Sequence, residues 1–261
     1  MSTIALITDF GSHDPYAASM KGVLASLCRA SVMDLTHSIK PFDIIEAAFF
    51  LKSVATSFSV TGGLRVIFVV VVDPGVGSER RILAASSGGR YFVGPDNGAL
   101  SLVLDDEATV RSVNESSYFL PHLSATFHGR DRFAPLAAAL ARGNDLRRLG
   151  SPMNVQDLAR LPYQAPSYEE GSARGSIVRI DHFGNAVTDV EWRRVEAYGR
   201  PFLRVADREI RRLVRTYQEG DSEPFLIVGS EGTLEISIRN DSAAARLGLE
   251  RLAPVRLSFS R

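Results

Sequence analysis

Asp73 and Arg80 close the turn Asp73-Pro-Gly-Val-Gly-Ser-Glu-Arg80, which follows the continuous apolar run Val66 to Val72. A carboxylate and a guanidinium seven residues apart fold back into contact when Gly75 and Gly77 free the backbone between them. Such a carboxylate can take a proton, and an arginine, protonated near neutral pH, can stabilise an anionic oxygen. His128 is the third candidate. It stands among small and polar neighbours in Ala125-Thr-Phe-His-Gly-Arg-Asp131, at a strand-to-helix junction, and imidazole changes charge near neutral pH. Proton transfer or orientation of a water suits it.

Binding groups lie at other strand ends. Asp9 follows the first predicted strand in Asp9-Phe-Gly11, and its two carboxylate oxygens could hold a pair of sugar hydroxyls. The same triplet marks the magnesium site of protein kinases, but no glycine-rich loop, strand lysine or catalytic loop accompanies it here. In Asp181-His-Phe-Gly-Asn185, Phe183 offers a stacking surface and Asn185 a paired donor and acceptor suited to an adenine edge. An ordinary hairpin with Gly-Asn at its tight positions explains that turn equally. Gly229-Ser-Glu-Gly232 is a second polar turn in the same region.

Asp9, Asp73, Asp96, His128 and Asp131 together raise a metal-dependent hydrolase as an alternative. Against it, the chain lacks His-x-His, His-Glu-x-x-His and Asp-x-Asp spacings, and Arg80, Arg130 and Arg132 stand beside the candidate ligands. The expectation is therefore no metal and no cofactor. Asp131 reads as the N-cap of a helix from Arg132 to Ala141.

The elements that must carry these residues alternate. Strands are expected at Ile4 to Thr8, Ser31 to Leu35 and Val66 to Val72, with helices at Tyr16 to Leu27, capped by Asp14-Pro15, and after Asp43. A hairpin turned at Gly88-Gly89 joins Ile82 to Ser86 with Tyr91 to Val93, and a short helix is expected over Ala99 to Leu104. This pattern predicts an α/β domain over 1–150 with a mixed or parallel sheet and flanking helices. Residues 151–174 turn to Pro, Ser, Gly, Tyr and Glu and read as a linker. Short strands over 175–261 predict a smaller antiparallel β-barrel or sandwich.

At 261 residues and zero formal net charge, nothing in bulk charge favours a nucleic-acid or membrane partner. The N-terminus lacks a basic leader and no apolar run approaches a membrane span, so a cytoplasmic protein is expected. The single cysteine, Cys28, excludes an internal disulfide and reads as a structural thiol in an apolar helical pattern.

Eight segments in order resemble one family, the S-adenosyl-L-methionine hydroxide adenosyltransferases, relatives of the fluorinase and chlorinase. They are Thr8-Asp-Phe-Gly11, Tyr16 with Met20-Lys-Gly22, Asp34-Leu-Thr-His37, Val72-Asp-Pro-Gly-Val-Gly77 with Arg80, Gly94-Pro-Asp-Asn-Gly98, Phe127-His-Gly-Arg-Asp131, Asp181-His-Phe-Gly-Asn185 and Gly229-Ser230 with Leu234-Glu235. The resemblance implies hydrolysis of S-adenosyl-L-methionine to adenosine and L-methionine, in a homotrimer with active sites between subunits. It implies that Asp73, Arg80 and His128 position and activate water, with either Asp73 or His128 taking the proton. The halogenating relatives lack the aspartate at this turn. It further implies that Asp9 holds the ribose, Phe42 and Phe183 flank the nucleoside, Asn185 reads adenine, and Asp181 and Ser230 hold the methionine portion. Glu231 departs from the pattern, since halogenating relatives place an arginine there. The alternative to an enzyme is a non-catalytic S-adenosylmethionine or adenosine sensor using the same pocket.

Overall fold

A computed structural model of the chain describes residues 2–59 and 61–260. Its backbone divides into two units, residues 1–162 and 163–261.

The first unit carries a seven-stranded sheet made of β1 (Ser2–Thr8), β2 (Ser31–Thr36), β3 (Arg65–Val71), β4 (Ile82–Ser87), β5 (Arg90–Pro95), β6 (Thr109–Ser112) and β7 (Ser151–Met153). Their order is β2-β1-β3-β5-β4-β6-β7. The first four strands of that order run parallel and the rest pair antiparallel. Both faces are covered, which is why β3 is apolar without alternation. On one face Leu6, Ile67 and Val69 pack with Met20 and Leu24 of α1 (Tyr16–Leu27) and with α3 (Ala134–Ala141). On the other Ile7, Phe68 and Val70 pack with Ala47 and Leu51 of α2 (Ile44–Ala55). Asp43 caps α2 as the sequence predicts, accepting from the Glu46 N–H at 2.9 Å.

Three local expectations fail. Asp14 does not cap α1, whose N-cap is Pro15 with no side-chain hydrogen bond. Ala99 to Leu104 forms turns rather than a helix, since Gly98 at φ +99 lies against the Leu161 backbone and the turns bury Ala99, Leu100 and Leu104 without helical continuity. Asp131 is not an N-cap, because α3 begins at Ala134 behind a π-helical turn, Gly129–Phe133, and Asp131 lies inside that turn.

The second unit is built on β8 (Ser167–Glu169), β9 (Ser172–Ile180), β10 (Ala186–Glu191), β11 (Arg200–Val205), β12 (Arg208–Ile210), β13 (Leu213–Val214), β14 (Phe225–Val228), β15 (Thr233–Ser237) and β16 (Pro254–Ser260). Strand order is β12-β11-β16-β9-β10-β15-β14-β13, with β8 on β9. All pairs are antiparallel except β13 with β14. The long β9 belongs to both halves of the sheet, so Ala173, Ile177, Leu203, Leu234, Ile236 and Leu257 share one core. A short helix, α4 (Ala243–Leu247), is capped by Ser242, which accepts from the Ala245 N–H at 3.1 Å. Strands β7 and β8 fall within the segment whose composition reads as a linker.

Candidate active site

Strand order places the first cluster. The chain leaves β1 to form β2 on one side and returns to form β3 on the other, so the sheet reverses direction of growth between β1 and β3. Ligands of open α/β sheets bind outside the carboxyl ends at such a point. Thr8 pairs with Val71, so Asp9 and Asp73 leave the same sheet edge on neighbouring strands.

The turn after β3 is held by Val76 N–H on Asp73 O (3.1 Å) and Ser78 N–H on Gly75 O (3.1 Å). Gly77 adopts φ +84, and a Cβ there would lie 2.9 Å from Ala125 O. This geometry returns Arg80 to Asp73. Arg80 Nε donates to Asp73 Oδ1 (2.7 Å) and Oδ2 (2.8 Å), and its Nη2 donates to Oδ2. Both side chains are nearly sealed from solvent, at 8% and 5% exposure. Arg80 Nη2 also lies 2.8 Å from His128 Nδ1, and the guanidinium sits over the Phe133 ring at 5.2 Å. Arg80 Nη1 is buried with no hydrogen-bond partner among the described residues.

A guanidinium has donors only, so His128 Nδ1 must accept, and the neutral ring carries its proton on Nε2. Burial, then the charges of Arg132 and Arg80, hold His128 below the ordinary histidine range, with Asp73 and Asp131 opposing. His128 reaches this position because it leads into the π turn, a helix irregularity frequent at functional sites. That turn is anchored by Asp131, which accepts from the Ser124 N–H (2.6 Å) and from Arg130 Nε (2.6 Å). The capture of its carboxylate by these two donors is the physical reason Asp131 does not cap α3.

Asp9 is half-buried and accepts the Phe42 N–H at Oδ2 (2.9 Å), leaving Oδ1 open to a ligand. Phe42 has φ +68, rare for a bulky residue, and the residue is 71% exposed. Asp9 therefore holds in place the backbone that presents this ring.

The second unit contains a cavity of about 1110 Å³, lined by Asp181, Phe183, Asn185, Tyr217 and Arg239 among others. Asp181 Oδ1 accepts the backbone N–H groups of Phe183 (2.9 Å) and Asn185 (2.8 Å), and its Oδ2 accepts Asn185 Nδ2 (2.9 Å). These bonds fix the turn and leave Asn185 one amide hydrogen and its carbonyl oxygen. Phe183 is exposed. Gly184 touches Ser242 so closely that a Cβ would fall 2.1 Å from its Oγ, which joins the two loops of the cavity wall.

Tyr217 belongs to this wall without any signal in the local sequence. It lies in a polar stretch, and its place becomes visible only through Glu235, which accepts its hydroxyl at 2.9 Å. Burial and the neighbouring carboxylates push Tyr217 up to about 12. Burial likewise raises Glu235. Ser230 is exposed in the turn between β14 and β15, outside the cavity lining. Beside it Arg179 Nη2 donates to Glu231 Oε1 at 2.6 Å, so a cation stands near this turn although residue 231 is acidic.

Models of the SAM hydroxide adenosyltransferase N-terminal and C-terminal domains match residues 4–150 and 175–256. The chain belongs to the SAM hydroxide adenosyltransferase family. Within reach of this family, the chain is 37% identical to the (R)-S-adenosyl-L-methionine hydrolase of Thermus thermophilus, over 98% of this chain and 100% of that protein. It is 29% identical to the fluorinase of Actinopolyspora mzabensis, over 75% of this chain and 74% of that one. A crystal structure of an uncharacterized conserved protein from Thermotoga maritima superposes with a TM-score of 0.88 at 27% identity, covering 99% of this chain and 100% of that one.

Among the described residues of this family member, no group of three or more His, Cys, Asp or Glu side chains is placed to hold a metal ion. No described helix is long and apolar enough to cross a membrane.

Proposed function

We propose that this protein hydrolyses S-adenosyl-L-methionine to adenosine and L-methionine by attack of water on the ribose 5′ carbon. The observation that carries the proposal is the buried Asp73–Arg80–His128 network with an unengaged donor at Arg80 Nη1. Membership of the family and the hydrolase name of the Thermus thermophilus relative support the same reaction.

The sulfonium is already an activated leaving group, so neither a metal nor an acid on the departing sulfur is required. Alignment and a nucleophile are. In-line placement at near-attack distance is worth roughly 7–11 kcal/mol, and a positioned base about 10²- to 10⁴-fold. Arg80 Nη1 donates to the attacking oxygen. With His128 Nδ1 occupied by Arg80 and Nε2 protonated, the remaining lone pairs are on Asp73, which takes the proton. His128 orients the guanidinium. An anionic nucleophile meeting a cationic sulfonium disperses charge, and exclusion of water favours that change.

Asp9 is assigned to the ribose hydroxyls, Phe42 and Phe183 to the faces of the nucleoside, Asn185 to adenine, and Asp181 and Ser230 to the methionine portion. In the homotrimer we propose, sites form between subunits.

The deciding experiment is incubation with S-adenosylmethionine in ¹⁸O-labelled water, followed by chromatography and mass spectrometry. Adenosine carrying the label at its 5′ oxygen, with or without chelator, is expected. Binding without product would leave the sensor reading in its place.

A further inference from the structure

Three arginines stand in one line across the second sheet. Arg174 on β9 faces Arg256 on β16, and Arg256 faces Arg204 on β11. Directly opposed residues project from the same face, and neighbouring strands lie about 4.8 Å apart, so the three positions span roughly 10 Å. Beyond Arg204 comes Glu209, which accepts from Arg204 Nε at 2.8 Å and shares its charge with Arg211 at 2.5 Å. At the other end Ser167 faces Arg174. Among the described residues, neither Arg174 nor Arg256 has a side-chain hydrogen bond or ion pair.

Like charges placed directly opposite one another oppose strand pairing, and this sheet accepts two such pairs in succession. The row lines a groove of about 650 Å³ together with Gln164, Ser167 and Ser176. That size suits a small molecule. It shares no residue with the cavity at Asp181. The formal net charge of the chain is zero, so the row is a local concentration of charge rather than part of a generally basic protein.

We propose that this groove binds an oligophosphate, an anion whose phosphoryl groups run in a line, as in inorganic tripolyphosphate or the tail of a nucleoside triphosphate. Guanidinium forks match phosphoryl oxygens in a bidentate manner, and a linear row of cations fits a linear row of phosphoryl groups. A single carboxylate or orthophosphate would reach only part of it. Zero net charge argues against a long nucleic-acid tract as the occupant. The inference does not depend on the activity proposed above.

The test is calorimetric titration of the full chain with inorganic tripolyphosphate at physiological ionic strength, with orthophosphate as comparator. One tripolyphosphate per chain is expected, at least tenfold tighter than orthophosphate. Arg256→Gln should weaken it at least tenfold and Arg256→Lys by less, while Arg193→Gln, outside the groove, should leave it unchanged. A nucleoside triphosphate forms the second arm: an affinity sensitive to Arg256→Gln and above that of tripolyphosphate identifies a nucleotide, and an equal affinity identifies the phosphate chain alone. Removing one of three opposed cations should not lower the melting temperature of the unliganded variant, so a folded Arg256→Gln protein is expected. Absence of tripolyphosphate binding, or unchanged binding in folded Arg174→Gln and Arg256→Gln proteins, would overturn the proposal.

Discussion

Asp73, Arg80 and His128 are held by complementary hydrogen-bonding capacity: an acceptor-only carboxylate, a donor-only guanidinium and an imidazole forced to accept at Nδ1. Asp73→Asn removes the proposed proton acceptor and turns one oxygen into a donor facing Arg80. Turnover should fall by about 10²- to 10⁴-fold with little change in KM; steady-state kinetics check this, and an unchanged kcat would remove Asp73 from the chemistry. The histidine sets a pH limit. Its proton affinity is lowered by burial and by Arg132 and Arg80, and protonation would set a cation against Arg80. The acid limb of kcat should therefore lie below the ordinary histidine value of about 6.5. The unfolded chain takes this proton first, so the stability linked to His128 is full above that value and declines as pH falls below it. A kcat–pH profile with its acid limb at or above the ordinary value would contradict the assignment.

At the scale of elements, the site depends on two short irregular segments rather than on regular secondary structure. The turn after β3 needs Gly77 at φ +84 with no Cβ against Ala125 O. Gly77→Ala should cost about 1–3 kcal/mol of stability and lower kcat, because Arg80 is carried three residues further along the same turn. Urea denaturation and kinetics on one preparation measure both, and a variant with wild-type stability would show that the turn relaxes freely. The π turn at Gly129–Phe133 has the same character. Gly129 faces Met20 Sδ at 3.1 Å and the Phe10 ring at 3.3 Å from where a Cβ would sit, which packs the turn against α1. Sequence patterns exposed the glycines and the strand ends. They did not expose the π turn, because nothing local distinguishes it from the first turn of α3, and Asp131 has the residue type of a cap.

For the whole molecule, the central prediction concerns assembly. The residues assigned to substrate belong to both units of the chain, and the proposed homotrimer would unite sets from neighbouring subunits. Light scattering behind gel filtration should give about three times the 28.4 kDa chain mass; a monomer with full hydrolase activity would refute sites between subunits. Residue order alone specifies the strands of the first sheet up to β5, most strands of the second, and the contact of Asp73 with Arg80, because apolar runs and glycine turns act over a few residues. It did not reveal the turns at Ala99 to Leu104, whose conformation follows from Gly98 packing on Leu161, sixty-three residues away in sequence. Nor could it show which ring nitrogen of His128 meets Arg80, a contact spanning forty-eight residues and made only by packing the π turn on the sheet edge.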